Sequence, residues 1–388
     1  MKRFLAFLSA VLLLFALLSC GAKEPEPSSE AESEPPDTTA EGSATSDMTT
    51  EEENENKKRA FFKSEENVID IYLVAGQSNA VGYTNIVDAS AAYAFAPELQ
   101  NGFSNVLLSG KLRWNTGSTY ASKEYTWIKT KLGLGMGNGG KMGPEAGMAK
   151  ALAEVYNEQS GKTAGIIKYG HGGTSILTKV TDSTPSGSKR ATWASPSYAV
   201  KKLGFASTAE YEASMTGELY REFLTVIEER LTALGARGYT NVNIKGLYWM
   251  QGENDRDQPE EYKTAFKWFA IDLRRDLARI VRTLTGGDDR GAADMPIFVG
   301  TISQTQSLEY PSAESVNLAF IAMQKTLPDI VKNVYVVDNS QYAISRYDEN
   351  TGKANADGLG SDQWHWNQAD QLEIGYNVGK AFLDLDGE

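Results

Sequence analysis

Short, continuously apolar runs alternate along this chain with longer runs in which apolar residues recur every three or four positions. The first apolar run, "VIDIYLVAG" from Val68 to Gly76, predicts a strand. "TAGIIKYG" (163–170), "NVNIKGLYWMQG" (241–252), "MPIFVGTIS" (295–303) and "NVYVVD" (333–338) predict further strands. Between them, "GPEAGMAKALAEVYNEQ" (143–159) predicts a helix. Pro144 suits its first turn, and Met148, Leu152, Val155 and Tyr156 share one face. "ELYREFLTVIEERLTAL", "EEYKTAFKWFAIDLRRDLARIVRTL", "SVNLAFIAMQKTL" and "NQADQLEIGYNVGKAFLDL" predict more helices. Strands that are apolar throughout and separated by helices imply an α/β fold, with a five-stranded parallel sheet and helices on both faces. Segments 84–142 and 174–212 are rich in Gly, Ser, Thr, Lys and Tyr and read as surface insertions.

In such a sheet, ligands bind beyond the carboxyl ends of the strands. Ser78 stands just past the first strand, in "VAGQSNAVGYT"; "GHGGTSI" follows the second and "QGEND" the third. "DQWHWN" precedes the last helix. Serine is a weak nucleophile until a base within hydrogen-bond reach takes its proton, and the base needs an orienting carboxylate. The chain has 2 histidines, His171 and His365. Asp362, three residues before His365, can hold one ring nitrogen and leave the other facing outward. Ser78, Asp362 and His365 are therefore the candidate catalytic set. An oxyanion would need donors. The N–H of Ser78, the N–H of Gly173 and a side-chain amide from Gln251 or Asn254 are the candidates.

The N-terminus changes the picture. "MKRFLAFLSAVLLLFALLSC" has a basic start, an apolar stretch and a small-residue site, which is the pattern of an export signal over residues 1–20. "LLSC" matches a lipobox, so Cys20, the chain's 1 cysteine, is the expected lipidation site. A plain secretory signal is the alternative. Residues 21–64 are Glu, Ser, Thr and Pro with few large apolar side chains, and read as a disordered acidic tether. Residues 65–388 then form the folded body. The net charge of −13 argues against nucleic acid as a partner. The histidines lie far apart and no cysteine is available, so no metal site and no cofactor are expected.

The blocks "GQSNAVG", "GPEAGMAKAL", "KYGHGGTSI", "YWMQGENDRD" and "DQWHWNQADQLEIGYNVGKA" resemble successive motifs of the SGNH-hydrolase superfamily. More narrowly, they resemble its sialate O-acetylesterase-like (SASA) branch. The resemblance runs from about Asp70 to Phe382. It implies a flavodoxin-like three-layer fold and serine-ester hydrolysis, usually deacetylation of sugars. It makes Ser78 the nucleophile, His365 the general base and Asp362 its orienter, with Gly173 and Gln251 completing the oxyanion hole. "GEND" also matches a broader superfamily pattern at Asn254, which stands as second choice. A histidine before "GGT" departs from the pattern, so His171 either touches substrate or packs under the turn.

Among 7 tryptophans, Trp193, Trp249, Trp364 and Trp366 are candidates for sugar contact, and Gln77 and Glu253 are further substrate-facing candidates. The expectation is a monomeric, lipid-anchored cell-surface esterase acting on an acetylated glycan. The alternative from another class is a silent glycan-binding lipoprotein on the same fold. An esterase of lipids or thioesters fits less well, as no apolar lid is evident. "GQSNA" falls one residue short of the "GxSxG" elbow of α/β-hydrolases, which usually place several strands before the serine.

Overall fold

The computed structural model describes residues 61, 65–116, 119–308, 310–344 and 362–387. The expected signal peptide with Cys20, and nearly all of the expected tether, lie outside them. One part of the tether expectation is corrected. Phe61 is buried, and its N–H donates to the Leu284 carbonyl at 3.2 Å, so Phe61 belongs to the folded body.

The sheet strands are β1 (Val68–Gly76), β2 (Val106–Thr116), β3 (Thr119–Lys129), β4 (Thr163–His171), β5 (Asn241–Met250), β6 (Ile297–Gly300) and β7 (Val334–Val337). Their order is β3-β2-β4-β1-β5-β6-β7, parallel except that β3 runs antiparallel to β2. The five expected strands are all present, in the 2-1-3-4-5 order of flavodoxin-like sheets. The sheet itself has 7 strands, which corrects the expected number. The extra pair comes from segment 84–142, read above as a surface insertion. β3 is exposed on alternate positions and carries Lys, Glu and Thr, a composition suited to a sheet edge. That polarity hid it from a search for apolar runs.

Helices cover both faces. On one side Phe382, from the helix Gln368–Asp386, packs edge-on against Tyr72 of β1 and Phe298 of β6, with ring centroids 5.2 and 4.6 Å apart. On the other, Phe223 of the helix Glu218–Gly235 stacks on Tyr169 of β4 at 5.7 Å. Phe269 of the helix Pro259–Thr285 meets Trp249 of β5 at 4.3 Å. Segment 174–212 is likewise more than surface decoration, since Trp193, Ala194 and Ala199 are fully buried. The helix expected over 143–159 is shorter, Glu145–Leu152.

One buried ion pair braces the region under Ser78. Lys168 of β4 and Glu145 are 2.7 Å apart, and neither side chain is solvent-exposed. Burial lowers the Lys168 pKa, and the Glu145 charge opposes that shift. The same ammonium donates to the carbonyls of Val81 and Leu134 at 3.1 and 3.0 Å. It thus ties β4 to the helical turn that carries Ser78 and to the segment between β3 and Glu145. Removing one member of a buried pair strands the other's charge and costs about 3–5 kcal/mol. Glu145→Gln is expected to lose stability on that scale in urea unfolding, and Glu145→Gln with Lys168→Met to recover part of it. A loss under about 1 kcal/mol would show that the ammonium needs no counter-charge.

Candidate active site

β1 ends at Gly76, with φ +143°, where an added Cβ would lie 1.9 Å from the Met250 carbonyl oxygen. Only glycine lets the chain turn this close to β5. Gln77 N–H then donates to that carbonyl at 3.0 Å, and the helical turn Ser78–Val81 begins at once. Ser78 is the first residue of that turn, so its own N–H has no intrahelical acceptor. Its Oγ makes no hydrogen bond among the described residues.

Asp362 and His365 lie in the segment before the last helix. Asp362 Oδ1 accepts from the N–H groups of Trp364 and His365 at 3.0 and 3.2 Å, which folds the segment into a turn. Its Oδ2 is 2.7 Å from His365 Nδ1. Burial alone would raise the Asp362 pKa. The hydrogen bond and charge of His365, with the two backbone donors, outweigh it and hold the carboxyl below its usual range. With Nδ1 carrying the proton, Nε2 is the basic nitrogen, and it has no partner among the described residues. The imidazole stacks on Tyr83, with centroids 4.9 Å apart and planes at 27°. Lys141 donates to the Tyr83 carbonyl at 2.8 Å, and the Asp362 charge acts on its ammonium.

Asn79 ties the histidine segment to the serine turn, and Gln306 holds the same segment from a third side. Asn79, next to Ser78, donates through Nδ2 to the Trp364 carbonyl at 3.1 Å and to Glu253 Oε1 at 2.6 Å. Gln306 donates to the same Trp364 carbonyl at 2.7 Å. Glu253 is buried, and desolvation pushes its carboxyl above the usual range against the pull of Asn79 and Gln306.

Ser78 and His365 face one cleft of about 450 Å³. Gln77, Gly173, Glu253, Asn254 and Trp364 also line it, and so do Tyr83, Trp114, Asn115, Met136 and Gly172. Gly173, at φ +70°, makes the tight turn after β4.

Several expectations are corrected. Gln251 is fully buried and outside the lining, and its amide donates to the Thr174 carbonyl at 3.0 Å and to Asp255 Oδ2 at 2.7 Å. Those N–H groups are committed, and of the two residues only Asn254 lines the cleft. His171 is fully buried and does not line the cleft either. Trp193, Trp249 and Trp366 are core residues at 0% exposure, which leaves Trp364 as the cleft's member of that group. Tyr83, Trp114, Asn115 and Met136 were not singled out from the sequence. Tyr83, in "VGYT" five residues after Ser78, had a positional signal. Trp114 and Asn115 are placed by the β2–β3 hairpin, and Met136 by a loop in which its N–H donates to the Gly82 carbonyl at 2.9 Å.

A family model matches residues 68–384: SASA, carbohydrate esterase, sialic acid-specific acetylesterase. No curated protein matches the sequence. Among solved structures, NanS is 14% identical, with 82% of this chain and 98% of NanS covered at a TM-score of 0.50. A protein from Arabidopsis thaliana is 16% identical, over 81% of this chain and 98% of its own, with a TM-score of 0.42. Est24, a carbohydrate acetylesterase from Sinorhizobium meliloti, is 10% identical, over 82% and 99%, with a TM-score of 0.40. The likeness to NanS agrees with the α/β fold. The family match extends from the first strand of the sheet into the last helix, so this chain belongs to the SASA family of carbohydrate esterases.

Proposed function

We propose that the chain is a serine esterase that removes O-acetyl groups from carbohydrate through an acetyl-enzyme. The observation that carries this reading is the cleft itself. A hydroxyl without a hydrogen bond, Ser78, shares it with an imidazole, His365, whose far nitrogen is held by Asp362. Ser78 Oγ attacks the acetyl carbonyl carbon while its proton passes to His365 Nε2. The carbonyl electron pair moves onto oxygen, where the N–H groups of Ser78 and Gly173 and the amide of Asn254 stabilise it. Such a donor is worth about 3 kcal/mol of barrier. The Asp362 carboxylate stabilises the imidazolium without taking its proton. Collapse expels the sugar oxygen, which receives the proton from Nε2. Water then attacks the acetyl-enzyme with the same imidazole as base, and acetate leaves as Ser78 regains its proton.

The N-terminal pattern supports an extension of this reading: lipidation at Cys20 tethers the esterase outside the cytoplasm through the acidic segment. Cys20→Ala is then expected to move the protein from the membrane to the soluble fraction. Equal membrane partition of both forms would defeat the anchor.

Acetate release from acetylated xylan, mannan, peptidoglycan and O-acetylated sialic acid, with p-nitrophenyl acetate as a small ester, tests the chemistry. Ser78→Ala and His365→Ala should each lower kcat by about 10³-fold or more. Equal turnover by Ser78→Ala would remove Ser78 from the mechanism, and no turnover by the wild type would instead favour a glycan-binding protein. The rate should also fall on the acid side, because a protonated imidazole cannot accept the serine proton. Asp362, held below the usual carboxylate range by its hydrogen bonds, stays ionised there. A kcat/KM flat from about pH 4 to 8 would contradict the assignment.

A further inference from the structure

An acetyl group fills only a small part of a cleft of about 450 Å³. The rest has to recognise the alcohol portion of the ester. The serine turn, the glycine turn and the histidine segment are occupied with the carbonyl, but one part of the wall has no such task. β2 pairs with β4 as far as Arg113↔His171, where β4 ends. Trp114, Asn115 and Thr116 continue past that end, paired only across the hairpin with β3. Trp114 and Asn115 of this overrunning tip line the cleft.

The tip is braced from behind. Arg113 is 1% exposed, ion-paired with Glu218 at 2.7 Å and with Glu222, and its guanidinium lies 3.7 Å over the Tyr120 ring. Tyr120 also packs against His171, with centroids 5.8 Å apart. His171 Nε2 lies 3.0 Å from Asn115 Oδ1, while its buried Nδ1 has no partner. Placing the proton on Nδ1 would orphan a buried N–H, a rarer fault than a bare acceptor. The proton therefore sits on Nε2, and Asn115 accepts through Oδ1. Burial and the nearby Arg113 charge push the His171 pKa down to about 3, against the opposing charge of Glu222, so the ring is neutral. Asn115 Nδ2, the other end of that amide, makes no hydrogen bond among the described residues.

We propose that Asn115, its amide oriented by His171, is the specificity-determining donor of the cleft, giving its Nδ2–H groups to an oxygen of a pyranose that lies against Trp114. His171 is a positioning residue and touches no substrate. The proposal rests on the esterase reading above and adds which wall reads the sugar.

The test compares mono-O-acetylated methyl pyranosides of xylose, glucose and mannose, and O-acetylated N-acetylneuraminic acid, with p-nitrophenyl acetate. In Asn115→Ala, kcat/KM for the best-hydrolysed sugar, divided by that for p-nitrophenyl acetate, should fall about 10-fold, chiefly through KM. His171→Leu should show the same fall. His171→Gln, which can still donate to Asn115 Oδ1, should recover most of it. An unchanged ratio in Asn115→Ala overturns the proposal, and so does a His171→Gln no better than His171→Leu. Should His171→Leu fail to fold, Asn115→Ala and Asn115→Asp decide alone, and Asn115→Asp is expected to lose at least as much. A wild type that cleaves p-nitrophenyl acetate but none of the sugars overturns this proposal and leaves the esterase reading standing. A wild type inactive on every ester defeats both.

Discussion

The side-chain amide of Asn79 joins the parts that have to meet. Its Nδ2 donates to the Trp364 carbonyl and to Glu253 from the position next to Ser78. Three segments far apart in the chain, at residues 79, 253 and 364, are thereby fixed to one another. Each is rigid on its own side. The serine turn is pinned by the Gln77 N–H on Met250, and the histidine turn is built on Asp362. The stacking of Tyr83 on His365 and the Thr84 hydroxyl donating to the Trp366 carbonyl at 3.0 Å join the same two segments, and the amide adds the link next to Ser78. A shift of about 1 Å between reacting groups is enough to cost 10²-fold in rate. Gln306, donating to the same carbonyl, holds the histidine segment from a further loop.

The surroundings of this amide are unusually polar for a protein interior, and their order follows from desolvation. Glu253 and Asp255 are both buried, and burial raises both carboxyls, Asp255 to about 6. Groups placed there need donors, and the neighbouring side chains supply them. Ser175 Oγ, the Ile176 N–H and the Gln251 amide converge on Asp255. That demand explains why Gln251 turns inward and Asn254 outward. The buried carboxylate takes the amide nearest to it, and the cleft receives the other. On the opposite side of the serine turn, the Lys168–Glu145 pair plays a similar bracing part through the Val81 carbonyl.

The sheet order puts these elements at one place. In a 2-1-3-4-5 sheet the crevice lies beside the first strand, where the order reverses. β1 delivers Ser78 there, β4 the glycine turn and β5 the Gln251–Asp255 stretch. The β2–β3 hairpin extends the sheet beyond β4 and adds an aromatic and amide wall, Trp114 and Asn115, to a site otherwise made of turns. The serine and glycine turns thus lie at strand ends of the parallel core, and the added wall at its edge.

Much of this was legible in the chain. The five parallel strands are visible because they are rich in apolar residues, four of them largely buried on both faces and the edge strand β7 half-buried. That Ser78, Gly173 and His365 line one cleft, with Asp362 on the imidazole, was legible because small residues mark two strand ends and a close acid–imidazole pair marks the entry to the last helix. Phe61 was hidden in a polar segment, and β3 was hidden by the charged face that an edge strand shows to water. Sequence alone determined the α/β core and the chemical types available at its rim, since periodicity and local turn chemistry act over a few residues. Only the tertiary structure decided which amide faces the cleft, which tryptophan borders it, and that His171 holds Asn115. Those outcomes depend on competition for buried hydrogen bonds between residues that meet only after folding.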